Sequence, residues 1–138
     1  MADRLHKLLN IRRIQEQQSM QAMARAKQQT EAAEAQYQAL SDMAREYRTQ
    51  DIRTPPINAE MLRQFREFYG QLAQARRTQA DQVSQAHTAE ATVHRHLLGH
   101  IKQRQGLEDV VTKREQQHRS DLNRKQRKAE SSAPRTMV

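Results

Sequence analysis

The chain has 138 residues, of which 24 are Lys or Arg and 16 are Asp or Glu, so its formal net charge is +8 at pH 7. Leu, Ile, Val and Phe together supply only 22 residues, about 16% of the chain, which is below the share that a charged chain needs to form a globular core. Gln, Ala and Arg, which suit helices, account for 20, 18 and 18 residues. The composition therefore excludes a compact core and leaves long helices or disorder.

Hydropathy and charge exclude further classes of protein. No window holds 18 consecutive apolar residues, so we expect no direct insertion into a membrane. The N-terminal segment lacks the continuous apolar run of a secretory signal, and the absence of Cys fits a cytosolic protein. The net charge predicts an acidic partner, which by charge alone could be nucleic acid, an anionic lipid surface or an acidic protein.

The order of residues along the chain predicts two helices that are separated by one loop. The first helix is predicted over residues 2–50, which contain no Pro or Gly. A loop is predicted over residues 51–58, because Pro55 and Pro56 forbid an ordinary helix interior. A second helix is predicted over 59–128, with Asn58 as its N-cap, and a flexible tail over 129–138.

Apolar residues recur along both helices at alternating spacings of four and three, the pattern of a coiled-coil seam with polar interruptions. The first predicted seam contains Leu5, Leu9, Arg12, Glu16, Ser19, Met23, Ala26, Thr30, Ala33, Tyr37, Leu40, Ala44 and Tyr47. The second predicted seam contains Leu62, Phe65, Tyr69, Leu72, Arg76, Gln79, Val83, Ala86, Glu90, Val93, Leu97, His100, Arg104, Leu107 and Val111. Two seams joined by a short loop predict an all-α fold, a two-helix antiparallel coiled-coil hairpin whose second helix is longer and overhangs from about residue 108.

Few residues have a pattern that fits catalysis or metal binding. His96 and His100 have the i,i+4 spacing of a helical metal pair, and His94 lies beside them, but no third ligand is near in sequence. There is no phosphate-binding Gly loop and no nucleophile motif, and two paired helices offer no concave pocket for a substrate. We therefore predict that the protein is not an enzyme and has no metal, cofactor or small-molecule substrate.

Basic and aromatic residues are unevenly distributed. Basic residues gather near both termini, which fits either a solvated helix surface or a site for an acidic partner; nucleic acid is disfavoured because acidic residues interleave and no aromatic residue is there for base stacking. All five aromatic residues lie near the loop, which fits either a packed hairpin tip or a docking surface. They are Tyr37, Tyr47, Phe65, Phe68 and Tyr69.

The residues on both sides of the loop resemble those of a known family. Before the loop stand Gln36, Leu40, Met43, Glu46, Tyr47 and Arg48, and after it stand Gln64, Phe65, Phe68, Leu72 and Ala75. This arrangement resembles the FliJ/YscO/HrpO family, the central-stalk proteins of type III secretion systems in flagella and injectisomes. The architecture is similar over nearly the whole chain, and the specific residues cover about 40 positions around the loop. The Pro-Pro loop is unlike the Gly/Ser-containing flagellar loop and favours an injectisome member.

The resemblance implies a partner for each end of the hairpin. The paired termini would enter the central hole of a hexameric export ATPase and promote its assembly and activity, while the remainder contacts the cytoplasmic domain of the export gate. Secretion chaperones are further candidate partners, and the location would be the cytoplasmic face of the secretion apparatus on the inner membrane. The residues that face the gate would be Gln36, Leu40, Met43, Tyr47, Phe68, Leu72, Ala75 and Gln79. Assigned on charge, the residues that face the ATPase would be Arg4, Lys7, Arg12, Arg13, Lys113, Arg114, Arg119, Arg124 and Lys125.

Three other interpretations of the sequence remain open. The chain could be a basic coiled coil that binds nucleic acid, for which a steep loss of affinity with salt would be diagnostic. It could be an export chaperone or escort that holds other coiled coils. It could also be a structural dimer in which the overhanging second helix pairs between two chains.

Overall fold

The computed structural model describes residues 2–132 of the chain, and this part is made of two long helices. Helix α1 spans Ala2–Arg53 and has 52 residues, and helix α2 spans Ala59–Ser132 and has 74 residues. The described residues contain no strand, and the two helices pack against each other. The predicted all-α fold with a longer second helix is confirmed.

The connection between the helices is shorter than the sequence predicts. Helix α1 continues three residues past the predicted end at residue 50, and the backbone N–H of Thr54 still donates to the Gln50 carbonyl at 2.8 Å. Pro55 then ends the helix because it has no N–H to donate. The extension has a tertiary cause: the hydroxyl of Tyr69 on α2 donates to the Asp51 carboxylate, and so holds this last turn of α1 against α2.

Helix α2 begins at the position that its cap residue predicts and runs beyond the predicted end. The Asn58 side-chain oxygen accepts a hydrogen bond from the Met61 backbone N–H at 2.8 Å, which satisfies one of the unpaired donors of the first turn. At the other end, residues 129–132, predicted to be flexible, belong to the helix. The rest of the predicted tail, residues 133–138, lies outside the described residues.

The chain divides into two compact units, each of which contains a section of both helices. The loop unit is Ser19–Leu97 and includes the connection between the helices. The terminal unit is the described part of the remainder, residues 2–18 together with residues 98–132. Within each unit the two helix sections run antiparallel, as the pairs Glu34–His87 and Asp51–Tyr69 show for the loop unit.

Burial follows the predicted seam in both units. Every predicted seam position is buried or half-buried except Tyr47 and Leu62, which are 40% and 42% exposed. The core of the loop unit includes Ala26, Ala44 and Leu72, and that of the terminal unit includes Leu9 and Val111. Small seam residues such as alanine allow the helices to approach closely, but they bury little apolar area.

Polar residues in the seam of the loop unit have hydrogen-bond partners on the backbone. Thr30 is only 4% exposed, and its hydroxyl donates to the Ala26 carbonyl one turn earlier at 3.0 Å. Gln79 is 8% exposed, and its amide donates across the seam to the Ala33 carbonyl at 3.1 Å. Because a buried polar group without a partner costs free energy, the bond from Gln79 favours the observed register of α2 against α1.

Two adjacent leucines in α1 provide a test of how much the seam stabilises the terminal unit. Leu9 is 5% exposed, whereas Leu8 is 41% exposed. We expect Leu9→Ala to lower the free energy of unfolding by about 2–3 kcal/mol, and Leu8→Ala to lower it by less than about 1 kcal/mol. Helix propensity changes equally in both variants, so the difference isolates burial. Urea unfolding followed by circular dichroism measures both values, and equal losses would contradict the assigned seam.

Candidate partner-binding surfaces

The residues predicted to face the export gate form one stripe on each helix of the loop unit. On each helix the spacing is four, three and four, which keeps the side chains on one face. The stripe on α1 contains Gln36, Leu40, Met43 and Tyr47, and the stripe on α2 contains Phe68, Leu72, Ala75 and Gln79.

The two stripes meet along one flank of the loop unit. The rings of Tyr47 and Phe68 are in edge-to-face contact, with centroids 4.9 Å apart and planes at 71°. Leu40 and Ala75, from opposite helices, line one shallow depression of the surface. We name this surface the aromatic flank and define it by the members that are exposed or half-buried, namely Gln36, Leu40, Met43, Tyr47, Phe68 and Ala75.

The other two predicted gate residues lie beneath this surface. Leu72 is 7% exposed and Gln79 is 8% exposed, and both are seam residues. Their side chains therefore pack between the helices and hold the aromatic flank in place. The heptad pattern of the sequence already places both residues in the seam.

Two of the predicted ATPase-facing residues on α1 have partners within the terminal unit. The Arg12 guanidinium donates to the Gln103 side-chain oxygen at 2.9 Å, and the Arg13 guanidinium lies 3.3 Å from the Glu108 carboxylate. Arg4 and Lys7 are exposed. Arg12 and Arg13 thus join α1 to α2, which their basic character alone did not predict.

The remaining predicted ATPase-facing residues lie on the last part of α2. Every described side chain from residue 112 to residue 131 is exposed, and we name this stretch the basic segment. It contains seven Lys and Arg against three Asp and Glu. At its start, Arg114 and Arg119 line a depression of about 380 Å³ whose apolar walls include Leu5 and Val111. Lys113, Arg124 and Lys125 are the other predicted members.

Arg104 is the centre of an ion-pair network that sequence reasoning did not identify. Its guanidinium binds the Glu16 carboxylate of α1 through two hydrogen bonds of 2.6 and 3.2 Å, and the Glu108 carboxylate at 3.0 Å. The hydrogen bond with Glu16, followed by that with Glu108, raises the pKa of Arg104. The hydrogen bond from Arg104 lowers the pKa of Glu108. The sequence did contain one indication of this network, because Glu16 and Arg104 place opposite charges at seam positions of the two helices.

The structure tests two further features considered from the sequence, a metal site at the histidines of α2 and a membrane-spanning segment. Within residues 2–132, no three His, Asp or Glu side chains come together as a metal site requires, so His94, His96 and His100 are not part of such a group. His100 is half-buried in the seam, and its Nδ1 atom is buried without a hydrogen-bond partner among the described residues. Neither helix, as far as the structure describes it, contains a stretch long and apolar enough to cross a membrane.

Within the described residues, two packed antiparallel helices without a strand define the class of all-α helical hairpin proteins. The family model described as flagellar FliJ protein matches residues 1–130. The chain therefore belongs to the FliJ family, and the resemblance seen in the sequence is confirmed. Neither a curated protein sequence nor a solved structure matches the chain significantly.

Family membership fixes the general role of the chain. The FliJ family consists of non-catalytic, stalk-like proteins of flagellar type III export, which associate with the export ATPase and the export apparatus. The matching model is that of the flagellar proteins. It therefore gives no support to the injectisome membership that the Pro-Pro loop favoured.

The network around Arg104 predicts a pH-dependent contribution to stability. Because the pKa of Glu108 lies below its ordinary value of 4.5, its ionised form stabilises the folded state above that pH, and this contribution is lost as the pH falls through the lowered pKa. We expect Glu108→Gln to lower the melting temperature at pH 7, and the difference from the parent chain to shrink as the pH falls through the lowered pKa of Glu108. Thermal unfolding by circular dichroism measures this.

Asp109→Asn is the matched control for this prediction, because Asp109 is the neighbouring exposed carboxylate. Its melting temperature should follow that of the parent chain at each pH. A deficit for Glu108→Gln that is the same at pH 7 and at low pH would contradict a stabilising role of the ionised carboxylate.

Proposed function

We propose that the chain binds within the ring of the hexameric export ATPase, promotes the assembly and activity of the ring, and links it to the cytoplasmic domain of the export gate. The observation that carries this proposal is that six of the eight predicted gate-facing residues share the aromatic flank of the loop unit. Five of the nine predicted ATPase-facing residues lie in the basic segment of the terminal unit. The chain would act at the cytoplasmic face of the apparatus on the inner membrane, through contacts alone.

The aromatic flank is suited to a specific protein contact. Tyr47 and Phe68 are 40% and 36% exposed although they are large aromatic side chains, and their mutual contact limits their rotamers. Preorganised aromatic residues contribute strongly to interfaces because they bury large areas at a low cost in conformational entropy. Met43, 42% exposed and one turn from Tyr47, adds an adaptable apolar side chain. We assign this surface to the export gate.

Truncating the aromatic pair tests the gate contact. We expect Tyr47→Ala combined with Phe68→Ala to weaken binding to the purified cytoplasmic gate domain by at least about tenfold, because each ring supplies apolar area at the contact. Isothermal titration calorimetry measures the Kd. Ile57→Ala is the control, because Ile57 is 86% exposed and lies in the connection between the helices.

The control should bind the gate domain as the parent chain does, and circular dichroism should show that the double variant keeps its helix content. Equal affinity of the double variant and the parent chain would remove the aromatic flank from the proposed interface.

The basic segment is suited to an acidic surface that repeats around a ring. Long-range attraction between opposite charges accelerates encounter without fixing one register. Because the side chains of residues 112–131 are exposed, they are accessible to several equivalent subunits in turn. A stalk that contacts a symmetric ring asymmetrically favours one subunit state over another, and this couples it to assembly and turnover of the ring.

Charge reversal tests the ATPase contact. We expect the triple variant Arg119→Glu, Arg124→Glu and Lys125→Glu to lose most of the stimulation of ATP hydrolysis by the purified export ATPase at low salt, because it replaces attraction by repulsion. The control triple variant is Arg63→Glu, Arg66→Glu and Arg77→Glu, which reverses three exposed arginines in the loop unit.

The control changes the net charge by the same amount and should still stimulate hydrolysis. A similar loss in both triple variants would show that total charge matters and that the basic segment is not a defined contact.

A further inference from the structure

The loop unit has a second depression, on a flank that the proposed gate contact does not use. It encloses about 390 Å³ and lies between α1 and α2. Two lining residues show which way the depression faces. About the axis of α1, Arg48 is rotated by about 100° from Tyr47 of the aromatic flank, and about the axis of α2, Ala73 is rotated by about 140° from Phe68. The seam residues Ala44 and Leu72 lie between these positions. This depression therefore faces away from the aromatic flank, and we name it the arginine groove.

The floor of the arginine groove is apolar and shallow because its side chains are small. Ala44 is 6% exposed, Ala73 is half-buried, and Leu72 is the larger side chain between them. At the side nearest the helix connection, Ile52 lines the groove and is 83% exposed. Together they form an apolar surface that the two packed helices leave open, and aliphatic side chains of a third helix can pack on such a surface.

Two cations border this floor without a partner in the described part of the chain. Arg48 from α1 and Arg76 from α2 both line the groove, and within residues 2–132 neither makes a hydrogen bond or an ion pair. Arg76 is half-buried, and its Nε atom is buried without an acceptor. A half-buried guanidinium that lacks an acceptor is energetically unfavourable, and a carboxylate is the group that it binds best.

The groove's own carboxylate is already engaged. Asp51 lines the groove, and its Oδ2 atom accepts the hydrogen bond from the Tyr69 hydroxyl. The lining therefore has two guanidinium groups and one carboxylate, and that carboxylate bonds to a neutral donor. The positive charge of the groove is not balanced by the residues that form it.

We propose that the arginine groove binds a short acidic helix of a partner protein. Aliphatic side chains of that helix lie on the floor formed by Ala44, Leu72 and Ala73, and an Asp or Glu carboxylate pairs with Arg48 and Arg76. A planar guanidinium binds a carboxylate through two parallel hydrogen bonds, so the two arginines select an acid over an amide of the same shape. This site is distinct from the surfaces assigned to the gate and to the ATPase.

A synthetic helical peptide serves as the probe. It repeats Glu, Ala and Leu so that Leu and Glu lie on one face at i,i+4 spacing, and the matched control peptide has Gln in place of each Glu. Nuclear magnetic resonance of the isotope-labelled full chain reports the contact. We expect the acidic peptide to shift the amide signals of Ala44, Leu72 and Ala73, and the Gln peptide to bind at least about tenfold more weakly.

Variants of the chain separate a binding role from a structural role. Arg48→Gln combined with Arg76→Gln should weaken binding of the acidic peptide by at least about tenfold. It should not lower the melting temperature, because neither arginine has a partner among residues 2–132 to lose. The control is Arg63→Gln with Arg66→Gln, which removes two exposed charges elsewhere in the loop unit and should leave binding unchanged. Ala73→Leu is a second variant that keeps both arginines and fills the floor, and it should also weaken binding.

The peptide-binding test of the arginine groove is independent of the proposed gate contact. The double variant of Arg48 and Arg76 should bind the gate domain as the parent chain does. The proposal is overturned if the acidic and Gln peptides bind equally, if the shifts appear at Tyr47 and Phe68, or if no shift appears. A melting temperature that falls in the double variant would assign the arginines a structural role.

Discussion

The packing of two helices along one narrow seam is the constraint on which the rest of this structure depends. Within residues 2–132, each helix has only the other to pack against, so it buries one stripe of side chains and leaves the remainder in solvent. Leu9, Ala26, Ala44, Leu72 and Val111 are the buried apolar residues of that stripe. A seam of this kind needs few large apolar residues, which is why a chain poor in Leu, Ile, Val and Phe still folds.

Polar residues make this seam specific. Alanine-rich stripes fit together in more than one register, because small apolar side chains discriminate weakly between neighbouring positions. Gln79 bonds to the Ala33 carbonyl in the loop unit, and Arg104 bonds to Glu16 in the terminal unit. A slip of α2 along α1 would break both bonds, leaving the buried Gln79 without the Ala33 carbonyl and Glu16 without Arg104. Each unit therefore contains its own polar contact that favours one register.

The same constraint explains why the proposed gate contact and the arginine groove lie on the flanks of the helix pair. Side chains next to the seam are held by the packing behind them, yet they remain accessible, as Tyr47 and Phe68 show on one flank and Arg48 on the other. The last part of α2 contributes a different surface, because the side chains of residues 112–131 are exposed. Two packed helices can thus present several distinct surfaces for the proposed contacts.

The sequence by itself determined the two helices, the break at Pro55 and Pro56, the cap at Asn58 and almost every seam position, because these depend on local backbone chemistry and on a period of 3.5 residues. It also placed the predicted gate residues on matching stripes, although their contact with the gate remains a prediction. Only the tertiary structure decided which charges pair. Arg12, Arg13 and Arg104 bond to residues that are about 90 positions away in the chain. The last turn of α1 depends on Tyr69 of α2. The burial of the Arg76 Nε atom without an acceptor among residues 2–132 depends on what α1 places opposite it. No local sequence pattern contains either fact.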